Sequence, residues 1–148
     1  MTQPIPYLGF NGNCAEAMKF YEKALNAKIE LLMKFKDMPA PPDGSGGCEV
    51  MGDGVMHARL TIKGTGMLFA GDCPPNLPYS GIHGISLALM YDTVAEGEQV
   101  FKSLSEGGTV AMPMAPTFWA KSFGMIIDKF GVQWMVNGEP IPHDKFGA

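Results

Sequence analysis

Apolar and polar positions alternate along this chain in blocks that predict short strands and two helices. The densest apolar stretch lies near the C-terminal end, where Phe123 to Ile127 and Val132 to Val136 flank the sequence Asp-Lys-Phe-Gly, and Asn137-Gly138 is expected to end the second run. Two apolar runs around a short turn that contains glycine are typical of a β-hairpin. Residues 57–72 follow the same plan, with Lys-Gly-Thr-Gly at the turn. The pattern therefore predicts one hairpin in each half of the chain.

A helical spacing precedes each hairpin. Between Cys14 and Ala27, with Asn13 as the N-cap, apolar residues recur at intervals of three and four, which predicts an amphipathic helix. A second helix is predicted to begin after Asp92 or Thr93 and to end at Gly107-Gly108, since glycine is common just after a helix. The remaining apolar runs predict strands at 5–10, 29–35, 55–62, 67–70, 82–90 and 109–112.

The two halves repeat the order strand, helix, strand, hairpin. This repeat predicts an α+β fold made of two βαβββ units. We expect the first unit at residues 1–74 with a long loop at 37–54, a linker at 75–81, and the second unit with a C-terminal tail at 82–148. Each unit has a sheet with one helix-covered face and one bare face, and we expect the bare faces to surround a concave site.

Composition limits the classes of function. The chain has 148 residues, a formal net charge of −4 and no basic run, so a nucleic acid is not an expected partner. No run approaches the roughly 18 apolar residues of a membrane span, so a membrane is not expected either. Cys14, Cys48 and Cys73 lack paired spacing, which favours free thiols in a reducing, cytoplasmic compartment.

Four stretches of sequence resemble the vicinal oxygen chelate superfamily, which includes glyoxalase I, bleomycin-resistance proteins and extradiol dioxygenases. They are YLGFNGNCAEAMKFYEKALNA (7–27), HARLTIKGTGMLFAGD (57–72), GISLALMYD (84–92) and GGTVAMPMAPTFWAKSFGMIIDKFGVQWMVNG (107–138). Within this superfamily, the four stretches resemble the PhnB-like branch most. The resemblance implies a glyoxalase/bleomycin-resistance type fold of two βαβββ units, usually as a homodimer, with a cup-shaped site in each sheet.

The resemblance also bears on metal and cofactor binding. Superfamily enzymes hold a divalent metal with His and Glu side chains at four strand positions, which here fall at or next to Pro6, Ala70, Ser86 and Met135. No His or carboxylate stands at these positions or beside them, and such metals need imidazole, carboxylate or thiolate ligands. The branch often carries a 3-demethylubiquinone methyltransferase label, but the chain has no glycine-rich strand-to-helix loop for a nucleotide-containing methyl donor. We therefore expect no metal and no cofactor.

The candidate residues have both functional and structural interpretations. His57 begins a strand and could act as a general base, a ligand hydrogen-bond donor or a metal ligand, or simply bond to the backbone. Asp72 shares a strand face with Ala70 and could look into the cup, or it could cap the following turn. Glu49 with His57 and Asp72 could form a displaced metal site. Trp119 lies in a loop and could contact a ligand, or form a dimer contact or a lid.

The candidate ligand-binding residues are His57, Phe69, Asp72, Ser86, Trp119, Trp134 and Met135. We expect Phe69, Trp134 and Met135 to line the cup, where aromatic rings with one serine and one aspartate would suit a flat or apolar small molecule. The main hypothesis is a protein that binds such a molecule without catalysis. The alternative is a metal-dependent lyase, isomerase or dioxygenase of the same superfamily.

Overall fold

The computed structural model of this protein describes residues 2–37, 52–63, 66–74 and 77–142. It divides into two compact units, Met1–Gly81 and Ile82–Ala148. The strands and helices, in chain order, are β1 (Tyr7–Phe10), α1 (Cys14–Ala24), β2 (Ala27–Lys34), β3 (Val55–Ile62), β4 (Gly66–Asp72), β5 (Leu87–Tyr91), α2 (Val94–Ser105), β6 (Thr109–Ala115), β7 (Ala120–Ile127) and β8 (Gln133–Pro140). No helix among the described residues is long and apolar enough to cross a membrane.

The first unit has a four-stranded sheet in the order β1-β4-β3-β2, with β1 parallel to β4 and the other pairs antiparallel. Because successive strand residues point to opposite faces, Leu8 and Phe10 lie on one face and Tyr7 on the other. Leu8 and Phe10 are buried on the face that packs against α1. The buried residues of α1 are Cys14, Ala17, Met18, Tyr21 and Ala24.

The second unit repeats this plan in the order β5-β8-β7-β6, with β5 parallel to β8. Helix α2 packs closely on β8, since a Cβ added at Gly97 would lie only 3.1 Å from the Cα of Gly138. Trp134, Val136 and other apolar side chains are buried in this unit. We use the term open face for the face of each sheet that does not pack against the helix of its own unit.

The predicted α+β fold of two βαβββ units is confirmed. Strand β3 has the predicted bounds, and Thr93 is the cap of α2, where its hydroxyl oxygen accepts a bond of 3.2 Å from the amide of Glu96. Gly107 follows α2 with φ of +73°, as expected of a glycine just after a helix. The side chain of Asn13, in contrast, makes no capping bond. The amide of Cys14, the first residue of α1, instead donates to the carboxylate of Asp72.

The two largest differences from the predicted strand boundaries are at the start of β5 and at the end of β8. The strand predicted at 82–90 begins only at Leu87, because Gly84 has φ of +73°, which an extended strand does not allow. Asn137-Gly138 does not end β8, which continues to Pro140. Gly138 is needed inside the strand because a Cβ there would lie 3.0 Å from the Cα of Val94 on α2. Tertiary packing therefore decides a position that local sequence would assign to a turn.

Candidate functional site

Three rings meet on the open face of the first sheet, and we call Tyr7, His57 and Phe69 the aromatic cluster. Tyr7 of β1 is in register with Phe69 of β4, and β3 places His57 beside them. The ring centroids lie 5.6 Å apart for Tyr7 and His57, 5.0 Å for His57 and Phe69, and 6.4 Å for Tyr7 and Phe69. Tyr7 is 55% exposed, and the other two rings are half-buried. The cluster is thus a partly exposed aromatic surface.

Hydrogen bonds connect the hydroxyl of Tyr7 to His57 and to the backbone. The hydroxyl of Tyr7 donates to the carbonyl oxygen of Met56 at 3.2 Å, and Nδ1 of His57 lies 3.4 Å from the same hydroxyl. A phenol has a single proton, so with that proton donated to the Met56 carbonyl the tautomer of His57 that fits is the one that carries its proton on Nδ1 and donates to the Tyr7 oxygen. In a neutral imidazole the other nitrogen, Nε2, is then the hydrogen-bond acceptor.

Gly71 makes room for the hydroxyl of Tyr7. A Cβ at this position would lie 2.8 Å from the Tyr7 oxygen and 2.8 Å from the carbonyl oxygen of Met56, which is closer than real Cβ contacts allow. Burial raises the pKa of Tyr7, with a smaller contribution from the nearby Cys14. The Tyr7 phenol therefore keeps its proton at neutral pH and remains a donor to Met56.

The structure places Asp72 away from the aromatic cluster. Asp72 does share a strand face with Ala70, but that face is covered by α1, and Asp72 is only 6% exposed. One carboxylate oxygen accepts bonds from the amides of Gly12 at 2.9 Å and Cys14 at 3.0 Å, and the other accepts from Val55 at 2.8 Å. The carboxylate thus ties the start of α1 and the start of β3 to the end of β4.

Ser86 and Met135 belong to the open face of the second sheet. The hydroxyl of Ser86 donates to the side-chain oxygen of Gln133 at 3.1 Å. Met135 is in register with Ala88 of β5 and with Met125 of β7. This face carries thioether and small polar side chains where the first sheet carries its aromatic cluster.

The two tryptophans have different environments. The indole nitrogen of Trp119 donates to the side-chain oxygen of Asn137 at 3.1 Å, and its ring packs edge-on against Phe123 at 5.1 Å and Phe118 at 4.9 Å. Trp134 is 1% exposed and donates to the carboxylate of Asp128 at 2.8 Å. Trp134 lies in the core on the helix-covered face, so it does not share a face with its neighbour Met135.

Of the sequence-derived candidates, the structure brings His57 and Phe69 together, and it places Ser86, Met135 and Trp119 in the second unit. Glu49, proposed for a displaced metal site, lies outside the described residues. Tyr7 was missed as a candidate. The sequence indicated Tyr7 by its place next to Pro6. Pro6 is one of the four strand positions at which superfamily enzymes hold their metal, which we call the carried-over positions.

The side chains at the carried-over positions do not fit a hard divalent metal. On the open faces these positions hold a phenol, a phenyl ring, a hydroxyl and a thioether, from Tyr7, Phe69, Ser86 and Met135. Among residues 2–37, 52–63, 66–74 and 77–142, no three His, Cys, Asp or Glu side chains are grouped so that they could hold a metal ion. His57 supplies one imidazole, and a divalent metal site needs several such ligands.

The paired βαβββ units define a class, the glyoxalase/bleomycin-resistance type of α+β protein. A glyoxylase/bleomycin resistance protein/dioxygenase domain from Frankia sp. EAN1pec has the same fold, with a TM-score of 0.64 at 11% identity over 93% of this chain and 98% of that domain. The predicted fold class is thereby confirmed.

Within this class, a family model described as 3-demethylubiquinone-9 3-methyltransferase matches residues 2–137, and the chain belongs to this PhnB-like family. Protein YjdN of Escherichia coli K12 is 33% identical over 137 residues, which cover 89% of this chain and 92% of YjdN. The crystal structure of PA1353 from Pseudomonas aeruginosa has a TM-score of 0.81 at 47% identity, over 93% of this chain and 97% of that one. A PhnB protein from Bacillus cereus has a TM-score of 0.72 at 25% identity, over 92% and 98%.

Proposed function

We propose that this protein binds a flat aromatic small molecule on the open face of the first sheet. The observation that carries the proposal is the aromatic cluster of Tyr7, His57 and Phe69, three rings in mutual contact that remain partly exposed. Aromatic rings favour edge-to-face and offset contacts with one another. An aromatic ligand would extend the same kind of packing and cover the apolar ring surface that water now contacts.

The hydrogen bonds of the cluster narrow the ligand class. Nδ1 of His57 is occupied by the Tyr7 hydroxyl, so Nε2 is the acceptor that the ring offers. A ligand with a hydroxyl or N–H group on its aromatic ring could donate to this nitrogen. Sites that hydrogen-bond a ligand hydroxyl discriminate strongly against analogues that lack it. We therefore infer a phenol-like or N–H aromatic ligand.

Methyl transfer and metal catalysis find less support in the residues. A helix N-terminus often binds a phosphate-containing group, but the amides at the start of α1 already bond to Asp72, and Glu96 at the start of α2 bonds to Thr93. The side chains at the carried-over metal positions do not fit a divalent ion, as described above. We accordingly infer that binding is the activity of this chain.

The test uses two probes that share a naphthalene ring with an oxygen at position 1, 1-naphthol and 1-methoxynaphthalene, titrated by calorimetry. Only 1-naphthol has a hydroxyl proton to donate. His57→Phe keeps a flat ring but removes the acceptor, so it should weaken 1-naphthol binding by about ten-fold or more while 1-methoxynaphthalene binding stays nearly unchanged. Phe118→Leu, in the second unit, is the matched control because it removes an aromatic ring that is 69% exposed.

If His57→Phe and Phe69→Leu both bind 1-naphthol as tightly as the unmodified protein does, the proposed site is refuted. Loss of binding in Phe118→Leu alone would move the site to the second unit. A melting temperature close to that of the unmodified protein must accompany each variant, since the comparison depends on an intact fold.

We further propose a homodimer in the cytoplasm. Sheet edges at β2 and β6 each have a strand paired on one side only, and Ile85 and Val110 are exposed apolar residues that a second copy could cover. The free thiols of Cys14 and Cys73 support a reducing compartment. Light scattering should give about twice the chain mass of 15.9 kDa, and a value near the single chain mass would exclude the dimer.

A further inference from the structure

Three methionines stand in one row across the second sheet. Met112 of β6 is in register with Met125 of β7, and Met125 is in register with Met135 of β8. Residues directly opposite each other on neighbouring strands point to the same face of a sheet. The register of β6 shifts on both sides of Met112, but at this pair Met112 and Met125 lie directly opposite each other. The three thioethers therefore share one face, and we call Met112, Met125 and Met135 the methionine row.

The row lies on the open face of the second sheet. The neighbouring residue Gly124 faces α2, because a Cβ there would lie 2.6 Å from a ring carbon of Phe101. Met125, the next residue on the strand, must point the other way. Met112 is 46% exposed, and Met125 and Met135 are half-buried. The methionine row is thus exposed at its Met112 end and half-buried at its other two positions.

The side chains beside the methionine row whose oxygen atoms could bind a hard metal ion already form hydrogen bonds or an ion pair. On β8, the side-chain oxygen of Gln133 accepts from Ser86, and the side chain of Asn137 bonds to Trp119 and to the carbonyl oxygen of Leu89. Glu139, two residues further along the same strand, forms an ion pair with Lys121. The donor set that the row itself offers is therefore three thioether sulfurs.

The geometry allows the three sulfurs to converge. Neighbouring strands lie about 4.7–4.9 Å apart, and methionine has three rotatable bonds that let its sulfur move over several ångströms. The outer side chains, Met112 and Met135, can thus lean towards Met125 between them. Thioethers are soft ligands that select Cu(I) over hard divalent ions. We propose that the methionine row binds one soft monovalent metal ion, Cu(I).

The test uses Ag(I) as a redox-stable probe and then Cu(I), followed by NMR of methionine methyl groups labelled with ¹³C. The protein carries Cys48→Ser and Cys73→Ser so that neither of these thiols binds the metal. Cys14 is retained because it is fully buried. At one equivalent of Ag(I), the methyl signals of Met112, Met125 and Met135 should shift together, while Zn(II) should leave them unchanged.

Leucine variants separate a metal site from a merely apolar surface, since leucine keeps the size of methionine without its sulfur. Met125→Leu should weaken Ag(I) binding by about ten-fold or more, and the triple variant of the row should abolish it. Met90→Leu is the matched control because Met90 lies on the same face but pairs with Asn137, outside the row.

Two results would overturn the proposal. One is an absence of methyl shifts with both Ag(I) and Cu(I), which would mean that the row is an apolar surface only. The other is a set of shifts of equal size at Met90 or at Met67 of the first unit, which would mean non-specific binding at exposed thioethers. If Met125→Leu fails to fold, the pair Met112→Leu and Met135→Leu provides the same test at the two outer positions.

Discussion

Asp128 should be one of the most sensitive positions in the fold. Its carboxylate is 3% exposed and lies in the turn between β7 and β8. One oxygen accepts bonds from the amides of Phe130 at 2.8 Å and Val132 at 3.0 Å, and the other accepts from the indole nitrogen of Trp134 at 2.8 Å. Asp128→Ala would remove the acceptor of all three donors at once.

The loss in the free energy of unfolding depends on which of the three donors can form a hydrogen bond to water after the substitution. The amide of Phe130 is partly buried and can bond to solvent, whereas the amide of Val132 and the indole of Trp134 are buried. Each buried donor that loses its partner costs about 1–3 kcal/mol, so we expect a loss of about 2–6 kcal/mol in the free energy of unfolding. That is a large part of a typical total of about 5–15 kcal/mol.

Asp128→Asn gives a graded comparison. Asparagine keeps one oxygen for the two backbone amides but turns a donor towards Trp134, so about 1–3 kcal/mol should be lost. Urea unfolding measures the free energy of unfolding of both variants, and the values can be compared if the m-value is unchanged. The control is Asp92→Ala, which removes an exposed carboxylate. A loss below about 1 kcal/mol for Asp128→Ala would refute the reasoning from buried donors.

Close packing and burial lead to two further predictions. Gly97→Ala should lower the free energy of unfolding by about 1–3 kcal/mol, because the added Cβ would meet the backbone of Gly138 at 3.1 Å. Gly9→Ala is the control in the same urea assay. It should not lower the free energy of unfolding, because no atom lies within 4 Å of the added Cβ. Burial, and secondarily the charge of Asp72, raises the pKa of Cys14 from its ordinary 9.0 to about 12. Because the unfolded chain releases this proton at lower pH than the folded chain, the contribution of Cys14 to stability should be constant below about pH 9 and fall as pH rises towards 12. Cys14→Ala should flatten this fall, and an unchanged pH dependence would show that other groups cause it.

The hairpins and helices were predictable because their signals are local. Glycine at Gly131, with φ of +88°, and Thr93 at the start of α2 act within a few residues of their own positions. The role of Asp72 was not predictable in the same way, because its partners Gly12 and Cys14 lie about sixty residues earlier in the chain. Only the folded sheet brings that carboxylate to the start of α1.

Which face of a sheet is covered by the helix was likewise not readable from strand alternation. Alternation places Trp134 and Met135 on opposite faces, but it does not say which face α2 covers. The structure makes this assignment, since Gly138, on the same face as Trp134, packs against Val94 of α2. The expectation that both side chains line one site overlooked the alternation itself.

The two units use corresponding sheet positions for different chemistry. Phe69 of β4 pairs with Tyr7 on the parallel strand beside it, and Met135 of β8 pairs in the same way with Ala88. The backbone arrangement is shared, so the difference between an aromatic and a thioether surface comes from side chains alone. Each proposal therefore rests on side chains of a single unit: removing the acceptor at His57 should leave Ag(I) binding intact, and removing the sulfur of Met125 should leave 1-naphthol binding intact. A variant that loses both activities would indicate damage to the fold and would support neither site.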